Sequence, residues 1–146
     1  MSVTVDTNIL LYAVNPHCQE HASAHSAIEG LRVGGKPWYL TWGVIYEFLR
    51  VVTHAAVSKR PLSLSAALSF VRHLLESPSI GILRETEMHL AKIEELARQL
   101  PAISANDVHD AHIVVLMREH NIGTILTADK GFQRFKDIQV VDPVHA

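Results

Sequence analysis

Cysteine is almost missing from this chain: Cys18 is the only one in 146 residues. That excludes an internal disulfide and suits a reducing cytoplasm, the expected location. Aromatic residues are scarce as well, at 6%, although apolar residues as a whole reach 48%. The core should therefore be aliphatic, and the composition carries no disorder signature. No apolar run approaches the roughly 20 residues of a membrane span, and no basic segment leads into an apolar one near the start. Neither membrane association nor a secretory signal is expected. Positive charge is not in excess, with 13 Lys and Arg against 15 Asp and Glu. A protein that holds nucleic acid mainly by bulk positive charge is thereby disfavoured. An acidic site offset by local basic residues is not. The length fits one domain over residues 1–146, with enough chain for a sizeable core.

What the chain does have is concentrated at its start. Val3 and Val5 are β-branched, as a short buried strand wants, and the run stops at Asp6. Thr7 and Asn8 follow, side chains able to cap a helix or bond a turn, and Ile9 to Val14 resume as one or two apolar helical turns. Asp6 thus falls at the carboxyl edge of a sheet, where open α/β folds bind ligands. The plain alternative, that Asp6 merely caps the next helix, stays open from this stretch alone.

Further along, Pro16 breaks the chain and a helix is expected from about His17 to Leu31, with Ala24, Ala27, Ile28 and Leu31 inward. His17, His21 and His25 would stack along one side of it. Such spacing can bind zinc, but no separate acid accompanies them and His17 sits at a frayed end, so a solvated face is expected. Trp38 to Leu40 reads as a second strand. Thr41 then caps a helix from Trp42 to about His54, whose stripe is Val44, Ile45, Phe48, Leu49 and Val52, with Glu47 on the flank. Ser63 opens another helix, with Ala66, Ala67, Phe70, Val71 and Leu74 inward. Ile80 to Leu83 is a third strand. A helix from Thr86 to about Leu100 should bury Leu90, Ile93, Leu96 and Ala97. Asn106 is expected to cap a helix from Asp107 to His120, stopped by Asn121-Ile122-Gly123. Thr124 to Thr127 and Ile138 to Val141 complete five strands. This alternation means an α/β fold, a parallel sheet covered by helices on both faces.

Four acids sit badly for a plain core. Asp110 shares its helical stripe with Ile113, Val114 and Met117, so it points toward the core. A lone buried carboxylate is costly and must meet a cation, donors or a helix end. Asp107, at the very start of that helix, is accounted for by the helix dipole; Asp110 is less so. Asp129 follows a strand as Asp6 does. Glu47 lies on an otherwise apolar helix flank, with an ion pair to Arg50 as the alternative. Two acids at strand ends and two on neighbouring helices would repel unless cations neutralise them. With no Cys or strong His cluster beside them the site is oxygen-rich, which selects Mg²⁺ or Mn²⁺. Such ions activate water and stabilise an in-line phosphoryl transition state.

Four segments then carry a resemblance: Val-Asp-Thr-Asn-Ile-Leu at 5–10, Trp42 to His54 around Glu47, Asp110-Ala111-His112-Ile113, and Thr127-Ala128-Asp129-Lys130-Gly131-Phe132. In this order and spacing the chain resembles a PIN-domain ribonuclease, and more closely the VapC toxin of a VapBC toxin–antitoxin pair. The resemblance covers nearly the whole chain. It implies a three-layer α/β/α sandwich with sheet order 3-2-1-4-5, an Mg²⁺ or Mn²⁺ site, and endonucleolytic cleavage of structured RNA of the tRNA or rRNA class. It also implies a cognate antitoxin that blocks the site, and a homodimer. Carried over by position, the quartet is Asp6, Glu47, Asp110 and Asp129, supported by Asn8 and Thr127. The chain departs at Gly131, where many relatives carry a further Asp, so a second ion would be held more loosely.

Lys130, Arg134 and Lys136 follow Asp129, and Arg50, Lys59 and Arg60 follow Glu47, a basic rim suited to a phosphate backbone. Competing readings fare worse. A phosphatase of the HAD type needs an Asp where Asn8 stands, and a receiver domain needs an acidic pair ending its first strand. A PIN-like module that binds RNA or a partner without cutting is the rival, and the presence of all four acids speaks against it.

Overall fold

The computed structural model describes residues 2–145. Five short strands, β1 (Val3–Val5), β2 (Trp38–Leu40), β3 (Ile80–Ile82), β4 (Thr124–Leu126) and β5 (Gln139–Val141), form one sheet in the order β3-β2-β1-β4-β5. Every pairing is parallel, with Val3 opposite both Trp38 and Thr124. Six helices accompany them: α1 (Thr7–Val14), α2 (His21–Val33), α3 (Trp42–Thr53), α4 (Leu64–Leu75), α5 (His89–Gln99) and α6 (Val108–Glu119). The chain builds outward from β1 to β3, then returns to place β4 on the other side of β1. With right-handed crossovers this order sets α1–α4 on one face and α5 and α6 on the other. The helix contacts agree, since α1 packs on α2 and α3, α3 on α4, and α5 on α6, and the two groups also touch where Glu47 of α3 meets His109 of α6. The carboxyl ends of β1 and β4 therefore flank the switch point of the sheet, the place where such folds hold ligands.

The buried interior is aliphatic around a few large rings: Trp38, Phe48, Phe132 and Phe135 are all fully buried. Trp38 keeps its indole N–H satisfied by donating to Ser77 Oγ at 3.1 Å. Local chemistry explains where helices begin. Thr41 and Ser63 each accept from the amide three residues on, as an N-cap should. Asn121 adopts φ 56°, the left-handed turn that ends α6.

Several element limits differ from the sequence expectation. α2 begins at His21 because Asn15 to Glu20 form turns, with the Cys18 amide donating to Asn15 O at 3.3 Å and the His21 amide to Cys18 O at 3.2 Å. His17 is outside the helix and contacts Arg60 Nη1 at 3.1 Å, so only His21 and His25 of the expected three keep a ring contact, with centroids 5.4 Å apart. His21 instead faces Tyr12 O at 3.0 Å. Asn106 does not cap α6. Ser104 and Asp107 form a reciprocal capping box over the 3-10 turn Ala105–Asp107, and α6 starts at Val108. α5 starts three residues later than Thr86, and only Leu96 of its expected face is buried. Leu90 is 70% and Ile93 40% exposed, and Ala97 is exposed too. Ala66 likewise lies outside the core. Among the described residues no helix is long and apolar enough to cross a membrane.

Candidate functional site

Asp6 ends β1 and is 5% exposed. Its two oxygens are both committed: Oδ1 accepts from the Thr7 amide at 2.7 Å, and Oδ2 from Thr127 Oγ1 at 2.8 Å and Asn8 Nδ2 at 3.3 Å. The two sequence readings of Asp6 are thus both realised, because it caps α1 while facing the switch point. Burial pushes its carboxyl above the usual carboxylate range. The bonds from Thr127 and Thr7 and the nearby His109 pull the other way without cancelling the rise.

Thr127 is the hub beneath Asp6. Its hydroxyl donates to Asp6 and accepts from Asn8 Nδ2 at 3.2 Å and from the Asp129 amide at 3.0 Å, so one donor and two acceptor positions are filled. Asn8 completes the tie by accepting from the Ala128 amide at 3.1 Å. The supporting pair of the sequence analysis therefore fastens the end of β1 to the end of β4.

Asp110 sits in the first turn of α6 above the fully buried Ile113, Val114 and Met117, as its stripe requires. Desolvation, followed by the charges of Asp6 and Asp129, lifts its carboxyl to about 6, with Arg134 opposing. Asp129 projects into the same field from an exposed position, with Oδ1 accepting from the Gly131 amide at 2.8 Å. Its backbone is well anchored: Thr127 holds its amide, and the neighbouring Phe132 is fully buried. At Gly131 a Cβ would come to 3.0 Å from Asp129 Oδ1, so a side chain here would make the Asp129 carboxylate shift by a few tenths of an ångström.

Glu47 reaches the site from α3. It makes no i,i+3 pair with Arg50 among the described contacts; Oε2 accepts from Thr7 Oγ1 at 3.2 Å and pairs with Nε2 of His109 on α6. The quartet thus faces a common field at the switch point, though no three of these acids bring ligand oxygens within 4.8 Å of one another.

Two partners of the quartet escaped the sequence. His109 is one, a single imidazole on Glu47 rather than a histidine cluster. Its only sequence signal is adjacency to Asp110; that it meets Glu47 depends on α3 lying beside α6. Arg134 is the other. The sequence places it in a basic rim, yet Nη1 bonds Asp107 at 2.9 Å and Nη2 lies 3.5 Å from Asp110, with the guanidinium over the Phe135 ring. Asp107 is therefore more than a helix-start acid. Ser104 and then Arg134 hold its carboxyl below the usual range. Arg60 is likewise engaged by His17.

Residues 3–138 match the family model described as PIN domain. Ribonuclease VapC43 of Mycobacterium tuberculosis is 36% identical over 140 residues, covering 96% of this chain and 94% of the relative. Ribonuclease VapC48 of the same species is 32% identical, covering 98% of each. Among solved structures, VapBC2 from Rickettsia felis, bound to a DNA fragment from its promoter, superposes with a TM-score of 0.70 at 22% identity, covering 97% of this chain and 98% of that one. VapC20 of M. tuberculosis, a sarcin-ricin loop cleaving toxin, superposes at 0.66 with 16% identity, covering 96% and 99%.

Proposed function

The chain belongs to the PIN domain family and, within it, to the VapC ribonucleases, and from that premise we propose a divalent-metal-dependent endoribonuclease acting as the toxin of a type II toxin–antitoxin pair. One observation carries the reading. Asp110, set on an apolar stripe, has its carboxyl lifted to about 6 by burial and by two further acids that face it across the sheet's switch point. A cluster of this kind fits a cation, and its donors are hard carboxylate oxygens suited to Mg²⁺ or Mn²⁺. Asp6, Glu47, Asp110 and Asp129 would hold it. Bound there, the ion would supply Lewis acidity and a water of lowered pKa for in-line phosphodiester hydrolysis.

The chain's own residues do the rest. Thr127 and Asn8 lock Asp6 so that its orientation costs nothing at the moment of reaction. His109 and Thr7 hold Glu47 toward the same space. Asp129, exposed and with Oδ2 uncommitted among the described bonds, is placed to orient the attacking water. Lys130 and Lys136 lie on the same stretch and offer charge to the substrate backbone. The substrate is a structured RNA of the tRNA or rRNA class; the M. tuberculosis neighbour VapC20 is described as cleaving the sarcin-ricin loop.

The partner is a cognate antitoxin that reaches into the acidic field with Arg or Lys, which a carboxylate cluster receives as charge-assisted bonds. The Rickettsia felis neighbour, solved as VapBC2, supports a partner of this kind, and the chain acts as a homodimer. Purified protein should cleave structured RNA with Mg²⁺ or Mn²⁺ and stop with EDTA. Binding of RNA without cleavage under any metal would replace this reading with a non-catalytic module.

A further inference from the structure

Outside the acidic field, one cluster has ligand chemistry that the ribonuclease reading does not use. Glu85 lies on the connection from β3 to α5, His89 opens α5, and His112 sits in the second turn of α6. One ligand atom from each lies within 4.8 Å of the other two. Among the described residues no other group of three His, Cys, Asp or Glu is so close.

Each imidazole is held in a defined orientation. His89 Nδ1 is 2.6 Å from Glu119 Oε2, and Glu119 also accepts from the Thr86 amide at 2.9 Å and Thr86 Oγ1 at 2.5 Å. The Glu119 side chain is 1% exposed, so this carboxylate is buried and shaped around one ring nitrogen. That arrangement fixes the His89 tautomer and leaves Nε2 as its ligand atom, as carboxylates behind metal-bound histidines do. His112 turns Nε2 toward Glu85 Oε1 at 2.8 Å. Its opposite edge lies against α3 at Gly43, where an added Cβ would stand 3.1 Å from Nδ1. The glycine thus admits the ring. The two rings meet edge to face, 88° apart with centroids at 5.7 Å.

We propose that Glu85, His89 and His112 form a second cation site, for a borderline-soft ion of the Zn²⁺ class, fastening α5 to α6. Two imidazoles and one carboxylate are a three-ligand zinc set with a fourth position for water. Bond lengths of about 2.0–2.2 Å set tetrahedral ligand atoms roughly 3.4 Å apart, so Glu85 Oε1 and His112 Nε2, now 2.8 Å apart, would open slightly to admit the ion while His89 closes on it. Glu85 and His112 side chains are 52% and 31% exposed, so solvent can deliver the ion. The trio adjoins the acidic field on the side of Glu47 and His109 but shares no residue with the quartet, and Asp110, two residues before His112, does not share its helix face. The hard-oxygen quartet and this nitrogen-rich trio should therefore sort ions by softness.

The test is a Co²⁺ titration of the full chain with Mg²⁺ in large excess to occupy the carboxylate site. The expected result is one Co²⁺ per chain with the intense visible band of a four-coordinate ion, displaced stoichiometrically by Zn²⁺. Glu85→Gln and His112→Gln should each abolish the band or weaken binding at least tenfold, and Glu119→Gln should weaken it by about 10–100-fold. Asp6→Asn should leave it intact. Glu85 is exposed, so its variant keeps the fold even where His112→Gln disturbs packing. No band in the parent, a band insensitive to Glu85→Gln, or one lost in Asp6→Asn would overturn the proposal.

Discussion

The guanidinium of Arg134 stands 3.5 Å from the carboxylate of Asp110. A cation already leans on the most perturbed acid of the site, and it is tethered there by its 2.9 Å bond to Asp107. Arg134→Gln should therefore lower the melting temperature in EDTA, by the equivalent of about 1 kcal/mol for a partly exposed pair. It should also enlarge the rise in melting temperature produced by Mn²⁺, because the site then has more uncompensated charge. Thermal scans with and without Mn²⁺ measure both. An unchanged metal increment would mean that Arg134 does not compete for Asp110.

The acids should not be equivalent. Asp110→Asn and Asp6→Asn are expected to abolish RNA cleavage at any Mn²⁺ concentration while leaving circular dichroism unchanged. Asp129→Asn should cost on the order of 10²–10³ in rate and be partly rescued by high Mn²⁺, since its carboxylate is exposed and one oxygen is committed to Gly131. Equal, unrescued loss in all three would put Asp129 on a par with the buried pair.

Stability of the metal-free protein should depend on pH through Asp110. Its carboxyl titrates near 6 when folded against 3.8 when free. Below about 4 it is protonated in both states. Between 4 and 6 only the folded state keeps the proton, so this contribution to stability is lost as pH rises through 6. The upward shift at Asp6 acts with the same sign. In EDTA the melting temperature should fall from pH 5 to pH 7.5, and by less in Asp110→Asn, a difference worth about 1 kcal/mol or less after solvent screening. With saturating Mn²⁺ the trend should reverse, because metal and proton compete for the same oxygens. A parent and variant with identical pH slopes would remove Asp110 as the source.

Thr127→Val keeps shape and deletes the hub hydroxyl. Asp6 Oδ2, Asn8 Nδ2 and the Asp129 amide each lose a partner, and the loss should cost about 1–3 kcal/mol in denaturant unfolding. Cleavage should drop more than Mn²⁺ affinity, because the variant unlocks the orientation of Asp6 and leaves the carboxylates in place. Native stability in the variant would show that water replaces the hydroxyl without loss.

Much of the architecture was legible because it rests on local periodicity. Val3 and Val5 ahead of Asp6, the Thr41 and Ser63 caps, and the stripe of Ile113, Val114 and Met117 beneath Asp110 all lie where the sequence placed them. Helix starts were less legible where turns compete with the first helical residues, as at His17 and Thr86. The face of α5 was misread because apolar spacing states which residues could share a face, not whether another element covers it. Leu90 and Ile93 keep the spacing and stay exposed.

The sequence by itself determined which residues end strands and head apolar stripes, and so set Asp6, Asp110 and Asp129 at the carboxyl edge of a parallel sheet. Those placements follow from backbone periodicity and chain direction, which act over a few residues. Only the tertiary structure decided what each acid faces. Glu47 meets His109 because α3 lies beside α6, Arg134 turns inward to Asp107 and Asp110, and Glu85, His89 and His112 gather from three separate segments. Most of these contacts join residues more than 20 positions apart, 27 at both Arg134–Asp107 and His112–Glu85. Electrostatic energy depends on distance through space rather than along the chain, so no local pattern in the sequence encodes them.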